Sequence, residues 1–117
     1  MATVEGDQPR VRPIGLQFID NGKLYFAVGD FKPCYKQMTE NPKVEVCGYN
    51  TKTGDILRVN GKAVFVDDAK LVEKCFTLIP QLRDIYDGIS KKLVPFYLDE
   101  IHANITSMKD MVRKEIL

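Results

Sequence analysis

The chain has 117 residues, is 44% hydrophobic and 28% charged, and carries 17 basic against 16 acidic side chains for a formal net charge of +1. That length holds one ordinary hydrophobic core, so residues 1–117 are expected to form a single domain, and the balanced charge excludes the basic excess of a nucleic-acid domain. No apolar run approaches the roughly 20 residues that cross a bilayer, and Met1 to Asp7 has neither a basic region nor an apolar stretch, so a cytoplasmic protein with no membrane partner is expected.

Residues 9–18 alternate and are β-branched or aromatic at intervals; Asp20-Asn21-Gly22 then supplies a tight turn before Lys23 to Val28, which predicts a β-hairpin. Gly29-Asp30-Phe31 breaks that strand. Pro33 suits the first position of a short helix running to about Glu40, which Asn41-Pro42 ends. Lys43 to Tyr49 alternates Val44 and Val46 with polar partners and predicts another strand. Thr51 to Gly54 turns the chain into a long strand from about Asp55 to Val66, where Gly61 predicts a bulge or sharp bend.

Asp67-Asp68 caps a helix whose apolar positions Leu71, Val72, Cys75, Phe76 and Ile79 follow the 3.6-residue period. Pro80 interrupts it, and a second helix is predicted from Pro80 to about Tyr86, ended by Asp87-Gly88. Residues 93–98 and 101–106 read as one or two closing strands, and the tail from Ser107 fits either helix or strand. No internal repeat or linker interrupts the chain. Five or six short strands with one helical insertion predict a small antiparallel β-barrel with helices packed outside and one rim open to a ligand. A chain this short leaves little surface for a second site unless a partner subunit contributes to it.

Residues 1–66 hold nine basic and seven acidic side chains, and residues 67–117 hold eight and nine, so any positive site belongs to the first half. Alternation along 9–18 puts Arg10 and Arg12 on one face, where two guanidinium groups repel unless solvated or met by an anion. Lys32 precedes the Pro33 helix start, where unpaired N–H groups and the helix dipole already favour negative charge. The hairpin makes these segments neighbours, so the three cations can converge on one phosphate; the competing reading is a solvated barrel face.

Other residues offer less. Cys34, Cys47 and Cys75 are far apart without a CxxC pair, which reads as three buried thiols rather than a metal or disulfide framework. His102 is the sole histidine and has no evident catalytic partner. Asn104-Ile105-Thr106 fits a glycosylation sequon that is silent without a secretory signal. The aromatics read mostly as core, with Phe26 and Tyr49 open to a role at a ligand rim. No triad, phosphate loop or dinucleotide fingerprint is present, and no catalytic or metal residue is assigned.

Several segments in this order and spacing are together distinctive: Gly6-Asp7-Gln8-Pro9-Arg10-Val11-Arg12-Pro13, Gly22-Lys23-Leu24-Tyr25-Phe26, Lys32-Pro33 with Tyr35-Lys36-Gln37-Met38, Asn41-Pro42-Lys43-Val44-Glu45, and Leu57-Arg58-Val59-Asn60-Gly61-Lys62-Ala63-Val64-Phe65. Over residues 2 to about 100 the chain resembles the pyridoxamine 5′-phosphate oxidase-like flavoproteins of the FMN-binding split β-barrel fold. The resemblance implies a mainly β, antiparallel, six-stranded Greek-key barrel with flanking helices, paired as a homodimer with FMN in clefts at the interface. It maps cofactor contacts onto Arg10, Val11, Arg12 and Pro13, onto Phe26 and Ala27, onto Lys32, and onto Arg58 in the long strand.

It also shows departures. Ala27 stands where the family usually carries a hydroxyl, Ile56 stands where the true oxidases carry a flavin-contacting Gln, and the usual amino-terminal helix has no counterpart. Lys91 to Leu117 does not match the Arg and His segment that grips the pyridoxal substrate. The implied function is an FMN-dependent reductase or oxidase acting on a small substrate, with the redox step supplied by the cofactor. The alternative is a non-enzymatic module that binds or senses flavin or another ligand on the same dimeric barrel.

Overall fold

The computed structural model describes all of residues 1–117. Its strands are β1 (Ala2–Glu5), β2 (Gln8–Val11), β3 (Gln17–Asp20), β4 (Lys23–Gly29), β5 (Lys43–Tyr49), β6 (Ile56–Phe65), β7 (Leu93–Thr106) and β8 (Arg113–Glu115); its helices are α1 (Pro33–Glu40), α2 (Ala69–Leu78) and α3 (Gln81–Ile89). All pairings are antiparallel, in the order β2-β1-β5-β6-β7-β4-β3, with β8 added to the end of β7.

The mainly β architecture with flanking helices agrees with expectation, while two details differ. Eight strands form where five or six were expected, and the ladder runs from β2 to β3 without closing. The predicted strand 9–18 is split. Its first part pairs with β1, and Pro13 and Gly15 sit in the irregular stretch before β3, because proline has no N–H to give to a ladder. The tight turn at Asn21-Gly22 forms as predicted, with φ of 50° and 75° at the two residues.

β6 and β7 are the long spine. Their register slips between Asn60 and Lys62, the bulge anticipated at Gly61. A Cβ at Gly61 would lie 2.7 Å from the Asp99 carbonyl oxygen, so only glycine permits the strands to approach so closely there. Opposite, Glu100 takes a positive φ of 51°. The bend lets the first half of β7 pair with β4 and its second half with β8. Residues 93–106 are therefore one strand, and the tail adds a short strand, not a helix.

Two apolar clusters flank the β4–β7 ladder. One face gives Phe26, Val28, Phe96 and Leu98 to a core shared with Val44, Val59, Ala63, Ala103 and the α1 residues Cys34 and Met38. The other gives Tyr25 and Leu93 to a layer with Phe18 and the helical residues Leu71, Cys75 and Tyr86. Burial on both faces explains the nearly unbroken apolar run of β4. Phe96 is fully buried, worth about 2–3 kcal/mol by transferred area. The Asp68 side chain accepts the Lys70 N–H at 2.8 Å and caps α2 as anticipated. Helix α3 runs past Asp87-Gly88 and stops instead at Ser90 in the left-handed conformation.

Candidate functional site

Thr3 and Glu5 on β1 and Arg10 on β2 share the face turned toward α1, since opposite residues of an antiparallel pair project to the same side and side chains repeat every second residue. Arg12 continues that series past the end of β2. Its backbone still pairs with Met1, whose carbonyl accepts the Arg12 N–H at 3.1 Å. The two arginines do lie on one face, but they part company. The Arg10 guanidinium is held by Glu5, with Nη2 at 3.0 Å, and hydrogen bonds from Arg10 first and Gln37 second hold the Glu5 carboxyl below its usual range.

Arg12 instead points at the buried side of α1. Its Nη1 donates to the Thr3 hydroxyl at 2.8 Å and the Met1 carbonyl at 3.2 Å, and its Nη2 donates to Gln37 Oε1 at 2.9 Å. Gln37 Oε1 also accepts the Thr3 hydroxyl at 2.6 Å. Every acceptor around Arg12 is neutral, so its charge is fixed in direction yet meets no carboxylate. Lys32 likewise forms no ion pair and occupies the N-cap of α1, immediately before Pro33.

These two free cations meet in one cleft of about 250 Å3, lined among others by Arg12, Pro13, Ala27, Gly29, Lys32 and Tyr86. Most of its lining is apolar. One rim comes from the Pro13 to Leu16 segment and the other from the end of β4 and the start of α1, with α3 closing the far side. Its chemistry is that of a site for an anionic group joined to an apolar body.

Four of the expected contact residues thus converge: Arg12, Pro13, Ala27 and Lys32. Four do not. Arg10 is neutralised by Glu5, and Val11 is 82% exposed at the strand end. The Phe26 side chain is 2% exposed and stacks on Phe96 with centroids 5.6 Å apart, so it belongs to the core and not to a rim. Arg58 lies opposite Cys47 and Asn104, on β6, away from the cleft. Tyr49 is exposed at the end of β5, beside Asn50 and Leu57.

Of the three thiols, Cys34 and Cys75 are buried as expected, but Cys47 is exposed. It projects from the outer face of β5, the alternate of the core-facing Val44 and Val46. His102 is exposed and lines a broader, shallow groove of about 730 Å3 on the outside of β1, β5 and β6. There the Lys62 to Glu100 ion pair, at 2.7 Å, satisfies its own charges. That groove is larger than the cleft but contains none of the expected contact residues, so size alone does not select it.

Two contributors escaped the sequence reading. Gln37 orients Arg12, and its signal was a polar residue on the same helical stripe as the buried Cys34 and Met38. Tyr86, 7% exposed, reaches the cleft from α3; no spacing rule relates it to residues more than 50 positions away.

The family model described as pyridoxamine 5′-phosphate oxidase matches residues 1–96. The chain belongs to the pyridoxamine 5′-phosphate oxidase-like family. A NimC/NimA family protein of Clostridium acetobutylicum is 36% identical, with a TM-score of 0.85, over 98% of this chain and 79% of that one. Two others share the fold: the general stress protein 26 of Bacillus anthracis (19% identity, TM-score 0.69, 98% and 85% of the two chains) and a pyridoxamine 5′-phosphate oxidase-related, FMN-binding protein of Nostoc punctiforme (14%, 0.67, 99% and 84%). No curated protein matches the chain. The open, curled sheet is thus the split β-barrel of this family, and its helices flank the barrel as they were expected to. No helix is long and apolar enough to cross a membrane.

Proposed function

We propose that the protein is an FMN-binding flavoprotein that acts as an oxidoreductase on a small substrate. The observation that carries this reading is the convergence of Arg12 and Lys32, both without an acidic partner, on an otherwise apolar cleft. A phosphate monoester suits the cations, and a flat ring suits the apolar wall. The family membership and the Nostoc relative described as FMN-binding point the same way.

In this reading Arg12 and Lys32 hold the phosphate, Pro13 and Ala27 border the ring, and the backbone beside them orients it. Arg10, Val11, Phe26 and Arg58 contribute at most through the backbone or from the other side of a dimer. Bound FMN supplies reversible hydride and electron transfer, so the chain itself needs no acid, base or nucleophile. Ala27 offers no hydroxyl, which leaves the ring edge at that point to backbone groups.

A homodimer completes the site. The cleft of about 250 Å3 falls short of the roughly 300–1,000 Å3 of ordinary ligand pockets, and a second protomer over its open side would enclose the ring. Three cysteines without a disulfide suit a reducing, cytoplasmic compartment. The test is titration of the purified protein with FMN, followed by a nicotinamide donor and then air. Bleaching and recovery of the visible band supports an enzyme, and a bound flavin that never turns over supports a sensing module.

A further inference from the structure

The geometry points to the Tyr86 hydroxyl as a third, neutral donor for the anionic group held by Arg12 and Lys32, so that Tyr86 selects ligands carrying a phosphate. This rests on the reading of the cleft as a phosphate and flavin site, but it names a residue that the strand and loop motifs do not contain.

Tyr86 comes from α3 and packs its ring in the helical layer beside Leu71, Cys75 and Leu93. Its hydroxyl end passes the ring of Phe31, with centroids 6.1 Å apart, and arrives at Gly29. A Cβ on Gly29 would lie 2.8 Å from the Tyr86 oxygen and 2.6 Å from Phe31, so the missing side chain is what lets the hydroxyl in. Gly29 in turn accepts the Lys32 N–H at 3.1 Å, which places the hydroxyl against the turn that carries Lys32. Tyr86, Gly29, Lys32 and Arg12 all line the same cleft.

A buried phenol ordinarily finds a partner. No backbone or side-chain group of the chain bonds this one, and its oxygen is not among the atoms sealed away from solvent. Burial, with the nearby Cys34 and Asp30, pushes the phenol above its usual range, which keeps the proton on oxygen at neutral pH. A protonated hydroxyl lining the same cleft as two cations without acidic partners can donate to an anionic oxygen without adding charge.

The experiment compares FMN with riboflavin, which has the ring but no phosphate, in the wild type and in Tyr86→Phe. The variant keeps the ring packing, and its near-ultraviolet circular dichroism and thermal midpoint confirm that it folds. The expected result is a loss of about ten- to a hundredfold in FMN affinity with riboflavin affinity unchanged, the range for a hydrogen bond to a charged group. Equal losses for both ligands, or no loss for either, overturn the assignment while leaving the cleft as a flavin site. Failure of the wild type to bind FMN overturns that broader reading and this assignment with it.

Discussion

Gln37→Met tests whether the polar network under the cleft does what its geometry implies. Methionine keeps the length and flexibility of glutamine, so the core around α1 is neither emptied nor overfilled. What is lost is the acceptor at 2.6 Å from the Thr3 hydroxyl and 2.9 Å from Arg12 Nη2, together with a longer, 3.3 Å donation to the exposed Glu5 carboxylate that contributes little. Thr3 is 1% exposed and water cannot replace the acceptor; a buried donor left unpaired costs about 1–3 kcal/mol. Arg12 is half-buried, and partial hydration reduces its share to about 0.5–1 kcal/mol.

The total of about 1.5–4 kcal/mol corresponds to a fall of roughly 5–20 °C in Tm for a domain of this size. Differential scanning calorimetry at one protein concentration reads it, since a dimer makes Tm concentration-dependent. The same variant removes the one partner of Arg12 Nη2 and loosens the guanidinium, and FMN affinity measured by calorimetric titration should fall with it. A Tm within about 2 °C of the wild type, together with unchanged FMN affinity, would refute the reasoning.

Other expectations follow from the same geometry. Lys32→Ala should weaken FMN binding by about ten- to a hundredfold and flatten its salt dependence, whereas Arg10→Ala, already paired with Glu5, should leave affinity within about twofold; equal losses would show that the two cations act together. Gly61→Ala places a Cβ 2.7 Å from the Asp99 carbonyl oxygen, and chemical denaturation should reveal about 1–3 kcal/mol of lost stability. Native-state thiol labelling should find Cys47 fast, with Cys34 and Cys75 protected until the chain unfolds. Burial pushes the Cys75 thiol up to about 11 from an ordinary 9.0. Between those values the unfolded thiol ionises while the folded one keeps its proton, so stability should fall as pH rises through this window, and Cys75→Ala should remove that part of the slope.

The elements were legible where local chemistry decides them. The Asn21-Gly22 turn, the Pro33 helix start, the Asp68 cap and the Gly61 bulge each depend on a few adjacent residues whose backbone or hydrogen-bonding preferences are strong. The split of residues 9–18 was harder to read, because alternation continues through Pro13 while the hydrogen-bond ladder cannot. The extent of β7 depended on its partners β4, β6 and β8, which no local window contains.

The site divides in the same way. Arg12 and Lys32 were found from strand alternation and helix-start electrostatics, and both reach the cleft. Arg10 satisfied the same alternation, yet Glu5 claims it across a hairpin that the sequence reading left out. Phe26 is the third of five consecutive apolar residues, Leu24 to Val28, in a strand buried on both faces, so periodicity did not say which face is core. Tyr86 reaches the cleft only because α3 folds back over the sheet, a tertiary fact with no short-range sign.

The most direct test of the central claim is an equilibrium titration of the purified protein with FMN, read by the visible flavin band and by the sedimenting species. The account predicts micromolar or tighter binding of one FMN per protomer on a dimer. A protein that stays colourless and leaves added FMN free at micromolar concentration would contradict it.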